Sequence, residues 1–441
     1  MADELSIKIT VSGTDYYVSD DEYLALDSKF HFAFVNSAPA ISFAPVSGGH
    51  IKIKSGSLVL DNLPQDSNHP FGSTRYAALL AAPETAYTCV INIGSIGYDF
   101  FTGVLVLDSI NPRTLKFTIH TKQFSTTVGS SVTDVNAATA VNPFSFGAIT
   151  HQVPVIQTGA QTFANPTGLT SNVSLYEDGS ALNITSITAS TITVDDYSAN
   201  TGQVSISVTG EKTLEDFFDY VAATLSLTAT SADTTRATGA SSINLKIYIK
   251  SVTNLLDLAN DVARATNHVF HISPDPDSAT FDETLFLIDK EDSQTPTTLD
   301  DDDTGASYKP GFPIGSIIGK YDVHTIENSS VVTTQKTVTS FNSNSPLAKH
   351  ETFPVFADRE RDSTSITTLL DGIRDSHMKV QASANVPNIK NTWRFGDHIR
   401  IDKADEFLRA TFQALSMTFN LSKRTTTASG PATLGEFIHV I

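Results

Sequence analysis

The residues that could do chemistry are few and scattered. Cys89 is the only cysteine. It sits in the apolar run Tyr87 to Ile93, where a thiol behaves as a small buried hydrophobe and not as a nucleophile. A lone cysteine also allows no disulfide within the chain. Asn267-His268-Val269-Phe270-His271 sets two histidines three apart, and imidazole is a common metal ligand. His271 falls in an expected strand, where positions three apart face opposite sides, so the pair reads as one histidine near a helix end and one in a strand. Asp300-Asp301-Asp302-Asp303 invites a calcium reading. Calcium loops alternate ligands with spacers and add a turn glycine and a bidentate Glu. Consecutive Asp side chains point apart, so a solvated acidic loop is the expectation. Asp20-Asp21 and Asp195-Asp196 are adjacent acids expected to solvate loops, although carboxylates paired for glycoside hydrolysis pair in space and not in sequence. There is no Gly-rich phosphate loop and no nucleophile elbow. Trp393 is the only tryptophan, where a sugar cleft would be expected to show more aromatic platforms. No catalytic, cofactor-binding or metal-ligating set is expected, and no cofactor.

The elements that would carry such residues are mostly strands. The 441 residues are 40% hydrophobic and 17% charged, enough for two to four domains with real cores. Abundant Ser, Thr, Asn and Gly with frequent β-branched residues is the composition of a β-rich, turn-rich protein. The formal charge of −19 argues against binding a phosphate backbone, which needs Lys/Arg clusters, and fits solubility or a salty habitat. No run reaches the ~18 apolar residues of a membrane span. Met1-Ala2-Asp3-Glu4-Leu5 lacks the basic and apolar regions of a signal peptide, so folding in a cytoplasm is expected.

In chain order, Leu5 to Val35 reads as an opening arm, with Phe30, Phe32 and Phe34 on one strand face. Short strands punctuated by Gly and Pro follow from Ile51 to Phe124, the pattern of a compact barrel or sandwich. Val104-Leu105-Val106-Leu107 does not alternate and is expected to be covered on both sides. Val141 to Gly210 forms a small all-β module, with a tight turn at Glu177-Asp178-Gly179-Ser180. A helix capped by Thr213, with Asp216 three residues on, presents Leu214, Phe217, Phe218, Val221, Ala222 and Leu225 on one face. A second helix spans about Asn254 to Thr266. Strands at Val269–Ile272 and Thr284–Ile288 complete an α+β centre. A helix is also expected after Ser363, with Ile366, Leu369, Leu370 and Ile373 inward. The last third returns to β structure.

Three segments together resemble the baseplate hub or tail-tip hub proteins of tailed bacteriophages, a family related in fold to contractile-phage hubs and to the hub of type VI secretion spikes. The first is the 141–210 module, with Pro143-Phe144-Ser145-Phe146-Gly147, Val153-Pro154-Val155, Tyr176-Glu177-Asp178-Gly179 and a closing Gly202…Val208-Thr209-Gly210. The second is the helix from Asn254 leading to Phe270-His271-Ile272 and Leu285-Phe286-Leu287-Ile288-Asp289. The third is Trp393 to Gly430, where Gly396-Asp397 opens a strand and a Thr-rich run ends in Gly430. The resemblance covers most of Ile51 to Gly430.

The resemblance implies a mainly β chain with an α+β central part, two tube-like β-barrel domains and an inserted small all-β module. The domains expected are an N-terminal arm and first barrel over 1–130, the module over 141–210, an α+β domain ending in the acidic loop over 211–313, a second barrel over 314–430 and an apolar tail over 431–441. Ile51–Phe124 and about Tyr321–Leu421 should then share one barrel topology. It further implies a structural, non-enzymatic virion protein of the tail tip, assembled in the bacterial host cytoplasm. Three chains would make a ring of six barrels around the DNA ejection channel. The expected partners are two further copies, a tail tube or distal tail protein, a tip, spike or central fibre protein and the tape measure protein, with no tight DNA binding. Two other readings stay open: a peripheral tail-tip protein that binds host surface glycan, and a β-rich glycan hydrolase.

Overall fold

Leu5-Ser6-Ile7-Lys8-Ile9-Thr10-Val11 alternates as half-buried strands do, and Leu5, Ile7 and Ile9 are fully buried. The computed structural model describes residues 5–24, 29–45, 51–54, 56–93, 99–121, 124–198, 204–227, 239–274, 283–290, 294–299, 305–311, 316–327, 330–341, 348–353, 367, 370–375, 379–390, 393–402 and 408–437. Leu5–Val11 belongs to a nine-stranded sheet. Across it the order is Tyr23–Leu24, Phe30–Ala33, Thr14–Ser19, Leu5–Val11, Tyr87–Ile93, Asp99–Ile110, Thr114–His120, Ser57–Asp61 and Val35–Ser37. Phe30–Ala33 and Val35–Ser37 lie near opposite ends of that order, yet Phe34 alone separates them in the chain. Two residues of chain reach at most about 7 Å. The sheet therefore curls until its ends meet, a nearly closed barrel filled by Leu5, Ile9, Ile91, Leu105 and Phe117. Of Val104 to Leu107 only Leu105 is fully buried, so this run faces the core on one side and is not covered on both. The three phenylalanines grade from half-exposed Phe30 to buried Phe34, each ring in contact with the next. A loop carrying helix α1 (Tyr76–Ala81) crosses from Ser57–Asp61 to Tyr87–Ile93.

The second large sheet is built mainly by the last third of the chain. Its order is Thr297–Leu299, His398–Ile401, Leu408–Gln413, Thr425–Phe437, Ser416–Asn420, Ala40–Pro45 and Ile51–Lys54. Val380–Val386 joins along Thr425–Phe437, with Gly305–Lys309 outside it. The hairpin Ala40–Lys54, expected with the first barrel, thus pairs here, Phe43 opposite Met417 and Ile41 opposite Phe419. The two large sheets share one contiguous core, in which Phe117, Ile41 and Phe419 all take part. Ser316–Glu327, Ser330–Phe341 and Ala348–Phe353, expected within the second barrel, form a separate three-stranded sheet. Among the described residues the two large sheets also differ in strand order. The 13-residue strand Thr425–Phe437 serves Ser416–Asn420 with its first half and Leu408–Gln413 with its second. Each strand of the first barrel's long run instead has a single neighbour on each side.

Within the expected module, two four-stranded antiparallel sheets stack as a sandwich. One holds Ile149–Pro154, Val204–Val208, Val173–Glu177 and Ser180–Ala181, the other Gln157–Gly159, Thr162–Ala164, Thr191–Val194 and Ile184–Ile187. Phe163, Leu175, Ile192 and Ile206 fill the space between them. Glu177 pairs with Ser180 across Asp178 and Gly179, whose φ angles of 49° and 86° give the two-residue turn with both centres left-handed. Phe144–Phe146 lies outside the sandwich. It pairs with Ile247–Ile249, and its rings pack on Tyr220 and Phe217. Gly147, at φ 91°, turns the chain from that strand into the sandwich. A Cβ there would sit 1.9 Å from the Leu245 carbonyl oxygen, so only glycine fits.

The α+β centre follows its sequence closely. Thr213 caps α2 (Leu214–Thr224): its Oγ1 accepts from Asp216 N–H at 3.2 Å, and Asp216 Oδ2 accepts from Thr213 N–H at 2.9 Å. Asn254 caps α3 (Leu255–Ala265) by accepting from Leu256 N–H at 2.9 Å. Phe217, Phe218, Leu258 and Val262 meet in one core, and each such side chain contributes roughly 1.5–3 kcal/mol on burial. His268–Pro274 and Glu283–Asp289 pair antiparallel beside the helices.

Candidate functional site

The cysteine and the histidine pair singled out for chemistry have structural occupations. Cys89 is fully buried between Leu5–Val11 and Asp99–Ile110, opposite Ile9 and Gly103. Burial pushes its thiol up to about 12, so at neutral pH almost none is thiolate. His268 and His271 occupy one strand three positions apart and face opposite sides. His268 Nδ1 lies 2.6 Å from the Thr266 carbonyl oxygen, which can only accept, so Nδ1 carries the proton. Burial lowers its pKa to about 4, with the Lys290 charge adding to the effect and the Thr266 hydrogen bond opposing it. His271 stacks on Phe286 at 4.9 Å and meets Phe395 at 5.2 Å, the environment of a core ring. Among the described residues no three His, Cys, Asp or Glu side chains gather as a metal site would need.

The acidic pairs act as loop fasteners. Asp195 accepts from Asn183 Nδ2 at 2.9 Å, and Asp196 accepts from Asn183 N–H at 2.9 Å. Asp20 pairs with Arg424 at 2.7 Å, tying the end of Thr14–Ser19 to the turn before Thr425–Phe437. Asp300 to Asp303, Ser363, Ile366 and Leu369 lie outside the described residues, while Leu370 and Ile373 are buried on the helical segment 370–375. Trp393 is 7% exposed and packs in the shared core, so it offers no platform to a sugar. Gly396, at φ 89°, passes over Ile288, and Asp397 Oδ2 accepts from Arg394 N–H to close the turn. Among the described residues two carboxyls have raised pKa values, as a general acid would need. Asp219 is raised by burial and then by Glu215 and Asp216, and Asp261 by burial and Asp257 against the pull of Arg264. Both causes arise from helix packing and from acids on the same helix.

Sequence reading missed two polar clusters. One is the Arg374 fork. Its Nη1 donates to Ser340 Oγ at 2.7 Å and to Asp371 at 2.9 Å, and its Nη2 donates to Asp375 at 3.0 Å. This pins Ser330–Phe341 to the segment 370–375. The other is His69, fully buried in the loop that leads into α1. The Pro-broken stretch His69-Pro70-Phe71-Gly72 was the only signal for it. What these side chains do together is hold strands and loops in register.

No protein-family model matches the sequence, and no curated protein does. Solved structures do. The 43 kDa tail protein of prophage MuSo2 from Shewanella oneidensis is similar at 12% identity, over 97% of this chain and 96% of that one, with a TM-score of 0.47. A tail protein from Neisseria meningitidis MC58 is similar at 10% identity, over 97% and 96%, with a TM-score of 0.47. Prophage tail protein gp18 from Listeria monocytogenes EGD-e is similar at 9% identity, over 97% and 94%, with a TM-score of 0.41.

Proposed function

We propose that this chain is a structural protein of a phage tail, the hub of the tail tip or baseplate. The observation that carries the reading is the pair of large sheets on one shared core, the first closed at Phe34, with the sandwich and the α+β unit set between them in sequence. Support also comes from the residues of the resemblance. Asp178-Gly179 forms the turn of the module, Asn254 caps α3, and Gly396-Asp397 leads into His398–Ile401. The division into 1–130, 141–210, 211–313, 314–430 and 431–441 belongs to the same proposal, with strands of 40–54 and 297–309 exchanged into the second large sheet and those of 316–353 in a sheet of their own.

Three copies ring a channel in this reading and join the tail tube or distal tail protein above to a tip, spike or fibre protein below, with the tape measure protein in the bore. The role is non-enzymatic, and the mechanism is docking through edge strands and loops. A chain of charge −19 gives the bore more Asp and Glu than Lys and Arg, so DNA passes without being held. Gold-labelled antibody against this chain, applied to tailed particles, should mark the distal end of the tail. Label along the whole tail, or none on particles, contradicts the assignment.

A further inference from the structure

We propose that the loop over residues 62–75 is an acid-released plug in one end of the first barrel, latched by His69. The inference goes beyond the assembly reading and does not depend on it. The loop is a chain of tight turns. Asp66 N–H bonds the Leu63 carbonyl, His69 N–H that of Asp66, Gly72 N–H that of His69 and Arg75 N–H that of Gly72, at 2.8 to 3.3 Å. These turns carry Phe71 into the barrel, where it is fully buried, stacked on Phe117 at 4.8 Å and edge-on to Tyr87 at 5.0 Å.

His69 holds the plug through both ring nitrogens, one bonded within the loop and one to the barrel wall. Phe71 N–H donates to Nδ1 at 3.0 Å, which makes Nδ1 the acceptor. Nε2 lies 2.8 Å from the Asp61 carbonyl oxygen, at the end of Ser57–Asp61, and therefore carries the proton. The neutral ring is fully satisfied, and a second proton has no acceptor. Protonated Nδ1 would point its N–H at the N–H of Phe71. The plug would lose a hydrogen bond and gain a buried charge.

The groups that bear on the ring leave this balance in place. Burial holds the imidazole below the usual histidine range, outweighing the Asp61 hydrogen bond and the Asp66 and Asp61 carboxylates, which favour the cation. Asp66 is itself occupied in accepting from Asn68 N–H at 2.8 Å. The packed rings of Phe34, at 5.0 Å, and Phe71 carry no charge. The latch is whole above the ordinary value of 6.5. It weakens as pH falls below 6.5 toward the lowered value, because in that range the open loop takes up the proton more readily. Opening withdraws Phe71 and exposes Phe34 and Phe117 at the barrel end.

Hydrogen exchange of the full chain, followed by mass spectrometry and corrected for intrinsic rates, tests this. Between about pH 7.5 and about pH 5, peptides over 62–75 should lose about tenfold in protection relative to Val204–Val208. In His69→Gln, whose amide can donate to Asp61 and accept from Phe71 without titrating, the ratio should stay flat. Unchanged relative protection in the wild-type chain overturns the proposal, as does the full loss persisting in His69→Gln. Should that variant fail to fold, the wild-type profile alone decides.

Discussion

His268 shows what a buried imidazole does to stability. Its Nδ1–H donates to the Thr266 carbonyl, and among the described residues its buried Nε2 has no hydrogen-bond partner. Because the folded pKa, about 4, lies below the ordinary 6.5, the folded state binds fewer protons than the unfolded one between those values. Stability is therefore full above about pH 6.5 and falls toward pH 4, by on the order of 3 kcal/mol from this residue. Thermal unfolding followed across that range should show the midpoint dropping, and His268→Gln should flatten part of the drop. An equal drop in the variant would assign the acid sensitivity elsewhere. At Gly147, substitution by Ala meets both the left-handed φ and the Leu245 carbonyl. Its denaturation midpoint should report a loss of at least about 2 kcal/mol. A loss below about 0.5 kcal/mol would mean that this crossing of chains relaxes freely.

At the scale of elements, local signals were legible where a few neighbouring residues decide the outcome. Thr213 and Asp216 announce the start of α2, and the box they form is present on both sides. Thr213→Ala should cost about 1 kcal/mol in urea unfolding, and no change would show that packing alone sets that helix end. Asp178-Gly179 likewise announced its turn. What the sequence could not show was where strands go after they form. Ile41 and Phe43 alternate as any strand of the first barrel would, yet they pair with residues near 417–419 at the far end of the chain. Phe144-Ser145-Phe146 alternates as a sandwich strand would, yet it serves the α2 core. Alternation fixes which face is buried and says nothing of the partner. The same limit hid His69, whose role depends on a carbonyl eight residues back and on an amide two residues on.

For the whole molecule, the proposed function lies in assembly. Cys89, His268, His271, Asp195 and Asp196 are occupied in holding the fold, and on the proposed reading purified protein should release no product from peptidoglycan or capsular polysaccharide. Turnover above buffer that vanishes on substitution of a single Asp or Glu would instead establish a glycan hydrolase. The charge of −19 also argues against tight DNA binding at physiological salt, which would need clustered Lys and Arg. Both outcomes fit a ring that guides DNA and cuts nothing. The central claim is that three copies of this two-sheet chain close such a ring. Electron-microscopy class averages of the purified protein test it most directly. A threefold particle with six barrel densities around an open or plugged bore is the predicted result, and a monomer or a twofold particle would contradict it.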